Sequence, residues 1–177
     1  SGWIETGDAG VLWRNLGNLL RGDEGRRAEA EGPYREAIKA GEDLAWYSLA
    51  GLLAEQPGRE GEAELAYREA LGAGYISALI DLGSLLSRRE GREREAEAAY
   101  REGIEAGFPW ASLMLGDLLA RQEGRERDAE QAYREAIDAG HTAAWLDLGN
   151  LLSGQEGREE EAEHAFREAI EDGDTPA

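Results

Sequence analysis

Apolar positions recur along this chain with a helical period. Near the C-terminus, Trp145, Leu148, Gly149 and Leu152 fall at i, i+3, i+4 and i+7, which places them on one face of a helix. A polar, glycine-containing break follows at 154–157, and then a second apolar set with the same period: Ala162, Ala165, Phe166, Ala169 and Ile170. Alternating β-branched runs, which are typical of strands, do not occur. The segment therefore predicts two amphipathic helices joined by a short turn.

This two-helix pattern recurs five times, and each copy closes on a glycine. The closing glycines are 33 residues apart: Gly41, Gly74, Gly107, Gly140 and Gly173. We predict that each ends a second helix in the left-handed conformation that glycine adopts without a Cβ penalty. The period is in the range of helical repeat arrays. The predicted repeats are 9–41, 42–74, 75–107, 108–140 and 141–173.

Both ends of the chain resemble pieces of further repeats. We interpret Ser1-Gly2 as a cloning scar and the rest of 1–8 as the remnant of a preceding repeat, while 174–177 resembles the start of a following one. The lack of a signal peptide therefore says nothing about a parent protein. A cytoplasmic location is our expectation.

Small and bulky positions alternate between the two helices. The middle of the first helix carries Gly17, Ala50, Gly83, Gly116 and Gly149, and the second helix carries Tyr34, Tyr67, Tyr100, Tyr133 and Phe166. Glycine inside a helix costs about 1 kcal/mol relative to alanine, so these glycines predict a close helix approach. In the first repeat, Pro33 predicts a second helix that is either kinked at the proline or begins there.

Five pairs of opposite charge support the second helices. They are Glu31–Arg35, Glu64–Arg68, Glu97–Arg101, Glu130–Arg134 and Glu163–Arg167, all spaced i, i+4 with the acid first. This orientation is the favourable one. We take the pairs to mark the water-facing side of these helices.

The composition of the chain argues against several kinds of function. The net charge is −19, from 38 acidic and 19 basic residues, and this opposes binding to nucleic acid or to an anionic membrane. The chain has no cysteine, which excludes disulfides and thiolate metal sites. The two histidines, His141 and His164, are not part of a His-Glu-x-x-His helix, and Gly91-Arg92-Glu93 lacks the Lys-Ser/Thr of a phosphate loop,. We expect no catalysis, no cofactor and no metal.

The fifth copy resembles the tetratricopeptide repeat in Trp145, Leu148-Gly149, Ala162, Phe166 and Ala169. The segment 139–143 ahead of Leu148-Gly149 is similar to the related Sel1-like repeats. The resemblance implies an all-α, right-handed α-solenoid of helix-turn-helix repeats, a TPR-like superhelix, acting as a protein–protein interaction scaffold.

The resemblance also implies a concave groove lined by three columns of first-helix residues. The residues expected to bind a peptide are Arg14, Asn18, Tyr47, Ile80, Ser84, Trp110, Leu113, Asp117, Leu146 and Asn150. Three alternatives are open: the apolar column packs against the adjacent repeat, Trp110 is a core or helix-end residue, and the polar column is simply solvated.

The expected partner is a protein or peptide that is basic or apolar rather than anionic. Arg14 and Asn18 fit the start of the clamp with which some family members hold a chaperone carboxylate, but Gly51 and Asp81 stand where the clamp needs polar and cationic groups. One alternative function is self-association, by end-to-end stacking or by exchange of terminal helices. Another is an engineered array without a natural ligand.

Overall fold

The computed structural model describes residues 6–173, with side chains from residue 9 onward. These residues form helices joined by turns, and none of them lies in a strand. The α-helices are α1 (Thr6–Gly22), α2 (Glu31–Lys39), α3 (Leu44–Ala54), α4 (Glu60–Gly72), α5 (Ala78–Ser87), α6 (Glu93–Glu105), α7 (Trp110–Ala120), α8 (Glu126–Asp138), α9 (Ala144–Ser153) and α10 (Glu159–Gly173). A short 3-10 helix at Arg27–Ala30 precedes α2. The segments at 1–5 and 174–177, interpreted above as remnants of further repeats, lie outside the described residues.

The chain divides into two compact units, Ser1–Leu85 and Leu86–Ala177. In the first unit, α1 packs against α2 and α3 against α4, and α3 also contacts α2. In the second unit, α7 packs against α8 and α9 against α10, while α6 contacts α7 and α8 contacts α9. Each unit is therefore built from antiparallel helix pairs, and successive pairs stack on one another within it.

An aromatic ring of the second helix covers a glycine of the first in three of these pairs. A Cβ added to Gly116 would lie 2.5 Å from Cδ1 of Tyr133, and one added to Gly149 would lie 2.7 Å from Cδ1 of Phe166. Gly17 meets the ring of Tyr34 at 2.5 Å in the same way. The predicted close approach is thus confirmed at these positions, because no side chain fits between helix and ring.

The second repeat uses a different arrangement at this point. It has Ala50 where the other pairs have glycine, and Ala50 is fully buried. Its second-helix ring, Tyr67, meets Tyr47 edge-on with 6.1 Å between centroids. Tyr47, at a first-helix position that is aromatic only in this repeat, thus takes part of the contact.

The predicted helix-ending glycines are confirmed at four of the five positions. Gly41 has a φ of 84°, and φ is also positive at Gly74, Gly107 and Gly140. After α2, Gly41 N donates to Ile38 O at 3.0 Å and Glu42 N donates to Ala37 O at 3.0 Å, which satisfies carbonyls that the helix end leaves free. The prediction is wrong for Gly173, which is the last residue of α10 and has no positive φ.

The structure resolves the two alternatives for Pro33. The proline lies in the first turn of α2, directly after the 3-10 helix. At that place the missing N–H removes no helical hydrogen bond and the fixed φ suits a helix start. The second helix of the first repeat is therefore shorter than its counterparts, rather than kinked.

The i, i+4 ion pairs are confirmed, and their arginines face water. The acid, however, is mostly covered in every pair except that of Glu163. Arg134 Nη2 lies 2.8 Å from Glu130 Oε1, and the Glu130 side chain is only 16% exposed. Arg158, from the turn before α10, covers Glu130 with a two-pronged contact at 2.9 and 3.0 Å. This contact lowers the pKa of the Glu130 carboxyl. Arg59 and Arg125 hold Glu31 and Glu97 in the same way.

These forked contacts join one repeat to the next within each unit. The arginine also binds an acid three residues further on, as Arg59 does with Glu62, so its guanidinium is oriented from both sides. Two parallel N–H···O bonds to one carboxylate fix direction as well as distance. The forks therefore set the register in which neighbouring helix pairs stack.

We expect Gly116→Leu to destabilise the second unit. The new side chain occupies the volume of the Tyr133 ring, and overpacking of this kind costs about 2 kcal/mol or more. For a chain of this size that lowers the melting temperature by roughly 5 °C or more. Circular dichroism at 222 nm during heating measures it.

Ala120→Leu is the matched control, because Ala120 lies on the same helix and is exposed. Its melting temperature should stay close to that of the unmodified chain. Equal melting temperatures for Gly116→Leu and Ala120→Leu would contradict the ring-over-glycine packing.

Candidate protein-interaction surface

In the first unit, most of the predicted groove residues make internal contacts. The Tyr47 hydroxyl donates to Asp81 Oδ2 at 2.5 Å. Burial, followed by this hydrogen bond, raises the pKa of Tyr47 to about 12. The phenol is therefore held neutral as a donor to a carboxylate of the next repeat, and its ring is only half-buried.

The remaining predicted residues of this unit behave similarly. Arg14 Nε lies 3.0 Å from Glu42 Oε1, as an ion pair in which Nε makes no hydrogen bond. Asn18 is exposed, and its Oδ1 accepts a hydrogen bond from Tyr34 at 2.9 Å. Ile80 is only 8% exposed and Ser84 is half-buried. Their role as ligand-binding residues stays a prediction, and Ile80 presents little side-chain surface for it.

In the second unit, the predicted residues leave apolar surface open. Trp110 is 39% exposed and Leu146 is 52% exposed, while Leu113 is half-buried. Trp110, Leu113 and Asp117 are spaced i, i+3 and i+7 on α7, so they share one face of that helix. Leu146 and Asn150 occupy the same places on α9, which contacts α7.

A neighbouring ring positions the tryptophan at the start of this surface. Phe108 and Trp110 meet edge-on with 4.9 Å between centroids and 65° between ring planes. This contact supports the helix-end interpretation for one side of Trp110. The exposed remainder of the indole is still available to a partner.

Two carboxylates lie beside these apolar side chains. Asp117 Oδ1 accepts a hydrogen bond from the Tyr133 hydroxyl at 3.0 Å. Asp147 has a raised pKa, first because it is partly buried and second because of the charge on Asp117. Within the described residues no cation or hydrogen-bond donor contacts the Asp147 carboxylate. The two acids therefore repel each other.

We call this surface the α7/α9 face, defined by Trp110, Leu113, Asp117, Leu146, Asp147 and Asn150. It combines exposed apolar area with two adjacent carboxylates and the exposed amide of Asn150. Such a surface suits a ligand with apolar side chains and a cationic group, because a cation would relieve the repulsion between the acids.

Sequence reasoning missed two features. Asp147 follows directly after the apolar column, and its position varies between repeats as Asn15, Ser48, Asp81, Met114 and Asp147. The second is a cleft of about 490 Å³ in the first unit, between α2 and α4, lined by Ile38, Trp46, Leu49 and Leu65 among others. Leu65 is 65% exposed and stands where later repeats have Ala98, Gln131 and His164.

Other kinds of site find no support in the part of the chain that the structure describes. No group of three or more acidic, histidine or cysteine side chains could hold a metal ion between residues 6 and 173. None of the described helices has the length and apolar character to cross a membrane. His164 is exposed and lies edge-on to Trp145, 5.8 Å between centroids.

Comparisons with known proteins agree with this architecture. The family model for the tetratricopeptide repeat matches residues 142–171. The Sel1 repeat protein from Oxalobacter formigenes is 26% identical, with a TM-score of 0.62 over 90% of this chain and 70% of its own. The protein c5321, a protective antigen of uropathogenic Escherichia coli strains with an SLR fold, is 24% identical with a TM-score of 0.66. That match covers 95% of this chain and 39% of c5321. No curated protein sequence matches the chain.

We expect Asp147→Asn to stabilise the chain at pH 7. The raised pKa of Asp147 means that its ionised form is less favourable in the folded than in the unfolded state,. Because the side chain is only half-buried and solvent screens part of the effect, the gain is a few tenths to about 1 kcal/mol. The melting temperature should rise by roughly 1–4 °C.

The gain should depend on pH in one direction. It is fully present above the raised pKa of Asp147 and disappears as the pH falls below the ordinary value of 3.8, where both states are protonated. Glu156→Gln, an exposed turn residue, controls for the loss of one negative charge. Equal melting temperatures for the two variants at pH 7 would refute the predicted repulsion.

Proposed function

We propose that this chain, a helical repeat protein of the tetratricopeptide and Sel1-like type, is an interaction scaffold that binds a peptide segment of a partner protein. Repeat proteins of this type are generally non-enzymatic interaction scaffolds. The finer proposal is that the α7/α9 face forms part of the peptide-binding groove. The ligand is an extended or helical segment with apolar and basic side chains.

The observation that carries the proposal is the pairing of exposed apolar groups with unneutralised acids. Trp110 and Leu146 expose large side chains, and aromatic residues of this kind supply much of the energy at interaction surfaces. Asp117 and Asp147 lie beside them, and partial burial followed by the charge on Asp117 raises the pKa of Asp147. A lysine or arginine of the ligand placed between them would convert that repulsion into attraction.

The charge of the whole chain favours the same ligand class. A net charge of −19 accelerates encounter with basic partners and slows it with acidic ones. The effect is strongest at low salt, because the Debye length falls to about 8 Å near physiological ionic strength. Long-range electrostatic attraction and the two local carboxylates therefore both favour a basic ligand.

A peptide of alternating leucine and lysine, labelled with fluorescein, is the probe for this function. Fluorescence anisotropy against the unmodified chain should show saturable binding. A peptide with glutamate in place of lysine, and one with serine in place of leucine, should each bind about tenfold more weakly or worse, since the first loses charge attraction and the second loses apolar burial.

Asp147→Asn separates binding from folding, because this variant should be at least as stable as the unmodified chain. Its affinity for the leucine–lysine peptide should fall about tenfold, the loss expected for one bond to a charged group. Trp110→Ala should weaken binding by a similar factor or more. Leu65→Ala is the control, since Leu65 is 65% exposed and lies outside the α7/α9 face.

Two results would count against the proposal. One is an unchanged affinity for both Asp147→Asn and Trp110→Ala. The other is equal binding of the lysine and glutamate peptides.

A further inference from the structure

The first helix of the chain exposes a row of apolar side chains. Trp13 is 41% exposed and Leu19 is 72% exposed, and three neighbours complete the row: Val11, Leu12 and Leu16. Large exposed apolar patches on a soluble protein mark interaction surfaces. This surface lies in the first unit and is separate from the α7/α9 face.

The second repeat shows what these positions do when another helix pair covers them. Leu49 and Leu52, one repeat after Leu16 and Leu19, are 4% and 0% exposed. Trp46, one repeat after Trp13, lines the same cleft as Ile38 of the preceding helix α2. The row on α1 therefore has the composition of a surface that docks on the second helix of a preceding repeat.

The last helix carries the complementary surface. Ile170 occupies the place of Ile38 in the fifth repeat and is 63% exposed. The Glu163 side chain is 61% exposed, whereas its counterpart Glu130 is 16% exposed and is held by Arg158 of the following repeat. Glu163 binds Arg167 of its own helix but has no such fork among the described residues.

The arginine that would complete this fork lies at the opposite end of the described chain. Arg26 occupies the turn position that Arg59 occupies one repeat later. It binds the acid three residues on, Glu29, as Arg59 binds Glu62. The Arg26 side chain is 55% exposed. Within the described residues, its guanidinium contacts no acid of another helix pair, whereas that of Arg59 also contacts Glu31.

We propose that the surface of α1 docks onto α10 of a second copy of this chain. Arg26 of one copy binds Glu163 of the other, as Arg158 binds Glu130 within the chain. Trp13 packs against Ile170, as Trp46 neighbours Ile38 in the first unit. The occupant is thus specified by charge complementarity and by the register that the internal repeats already use.

This contact joins two different surfaces, so it is head-to-tail and does not close on itself after one step. Each copy that docks exposes a new α10 surface, and association therefore grows with concentration. The net charge of −19 opposes the contact through repulsion between copies. That repulsion is largely screened at about 0.15 M salt, whereas a contact ion pair is screened less.

Sedimentation velocity over a concentration series tests the proposal. At about 0.15 M salt the unmodified chain should show a weight-average sedimentation coefficient that rises with concentration. Arg26→Glu and Glu163→Arg each place like charges opposite one another, and each should weaken association about tenfold or more. The double variant restores an opposite-charge pair and should recover most of the association.

Arg127→Glu is the matched control, because Arg127 is exposed and the change alters net charge as Arg26→Glu does. It should associate like the unmodified chain. Trp13→Ala, checked for folding by circular dichroism, should weaken association independently of charge. A chain that stays monomeric at every concentration would overturn the proposal, as would a double variant that associates no better than either single variant. Neither result bears on peptide binding at the α7/α9 face, which has a separate readout.

Discussion

The structure depends on one recurring contact, the aromatic ring of a second helix lying over a glycine of the first. The Tyr133 ring over Gly116 is an example. A Cβ at Gly116 would come within 2.5 Å of the ring, so only the hydrogen side chain of glycine fits there. Glycine costs about 1 kcal/mol of helix propensity relative to alanine, but it allows the two helices to approach closely. Leucine and alanine side chains around the contact are nearly fully buried, among them Leu119 and Ala136.

A second interaction arranges the helix pairs relative to their neighbours. The two-pronged contacts of Arg59, Arg125 and Arg158 each cross from one repeat to the preceding one. Exposed ion pairs contribute little to stability, but these glutamates are between 16% and 25% exposed, and their geometry is bidentate. Their main effect is on register. Hydrophobic packing makes the helix pairs stack. The bidentate arginine contacts then determine how each pair is aligned with the preceding one.

The two binding proposals rest on the same comparison between repeats. In the first unit, groups such as Arg14 and Tyr47 contact residues of the next repeat. Where groups of the same kind are not consumed, they remain available to a partner. This is the case for Trp110, Leu146 and Asp147 on α7 and α9, and for Trp13 and Arg26 at the beginning of the chain. Both proposed surfaces thus expose groups whose counterparts in the second repeat, Tyr47, Trp46 and Arg59 among them, contact or lie beside a neighbouring repeat.

The sequence by itself determined the helix-pair architecture. Apolar period, closing glycines and the glycine–aromatic alternation are local or strictly repeated signals, and each predicts its contact without knowledge of the rest of the chain. The tertiary structure alone decided how exposed each predicted binding residue is. Tyr47 and Leu146 share one column, yet the first donates to Asp81 and the second is 52% exposed.

The same holds for charge. The i, i+4 spacing predicted that Glu130 would pair with Arg134 but not that Arg158, 28 residues away, would cover it. Nor did the spacing reveal that the charge on Asp117 acts on Asp147 of another helix. Periodicity fixes which residues share a face of one helix, whereas burial and electrostatic coupling depend on which neighbour that face meets.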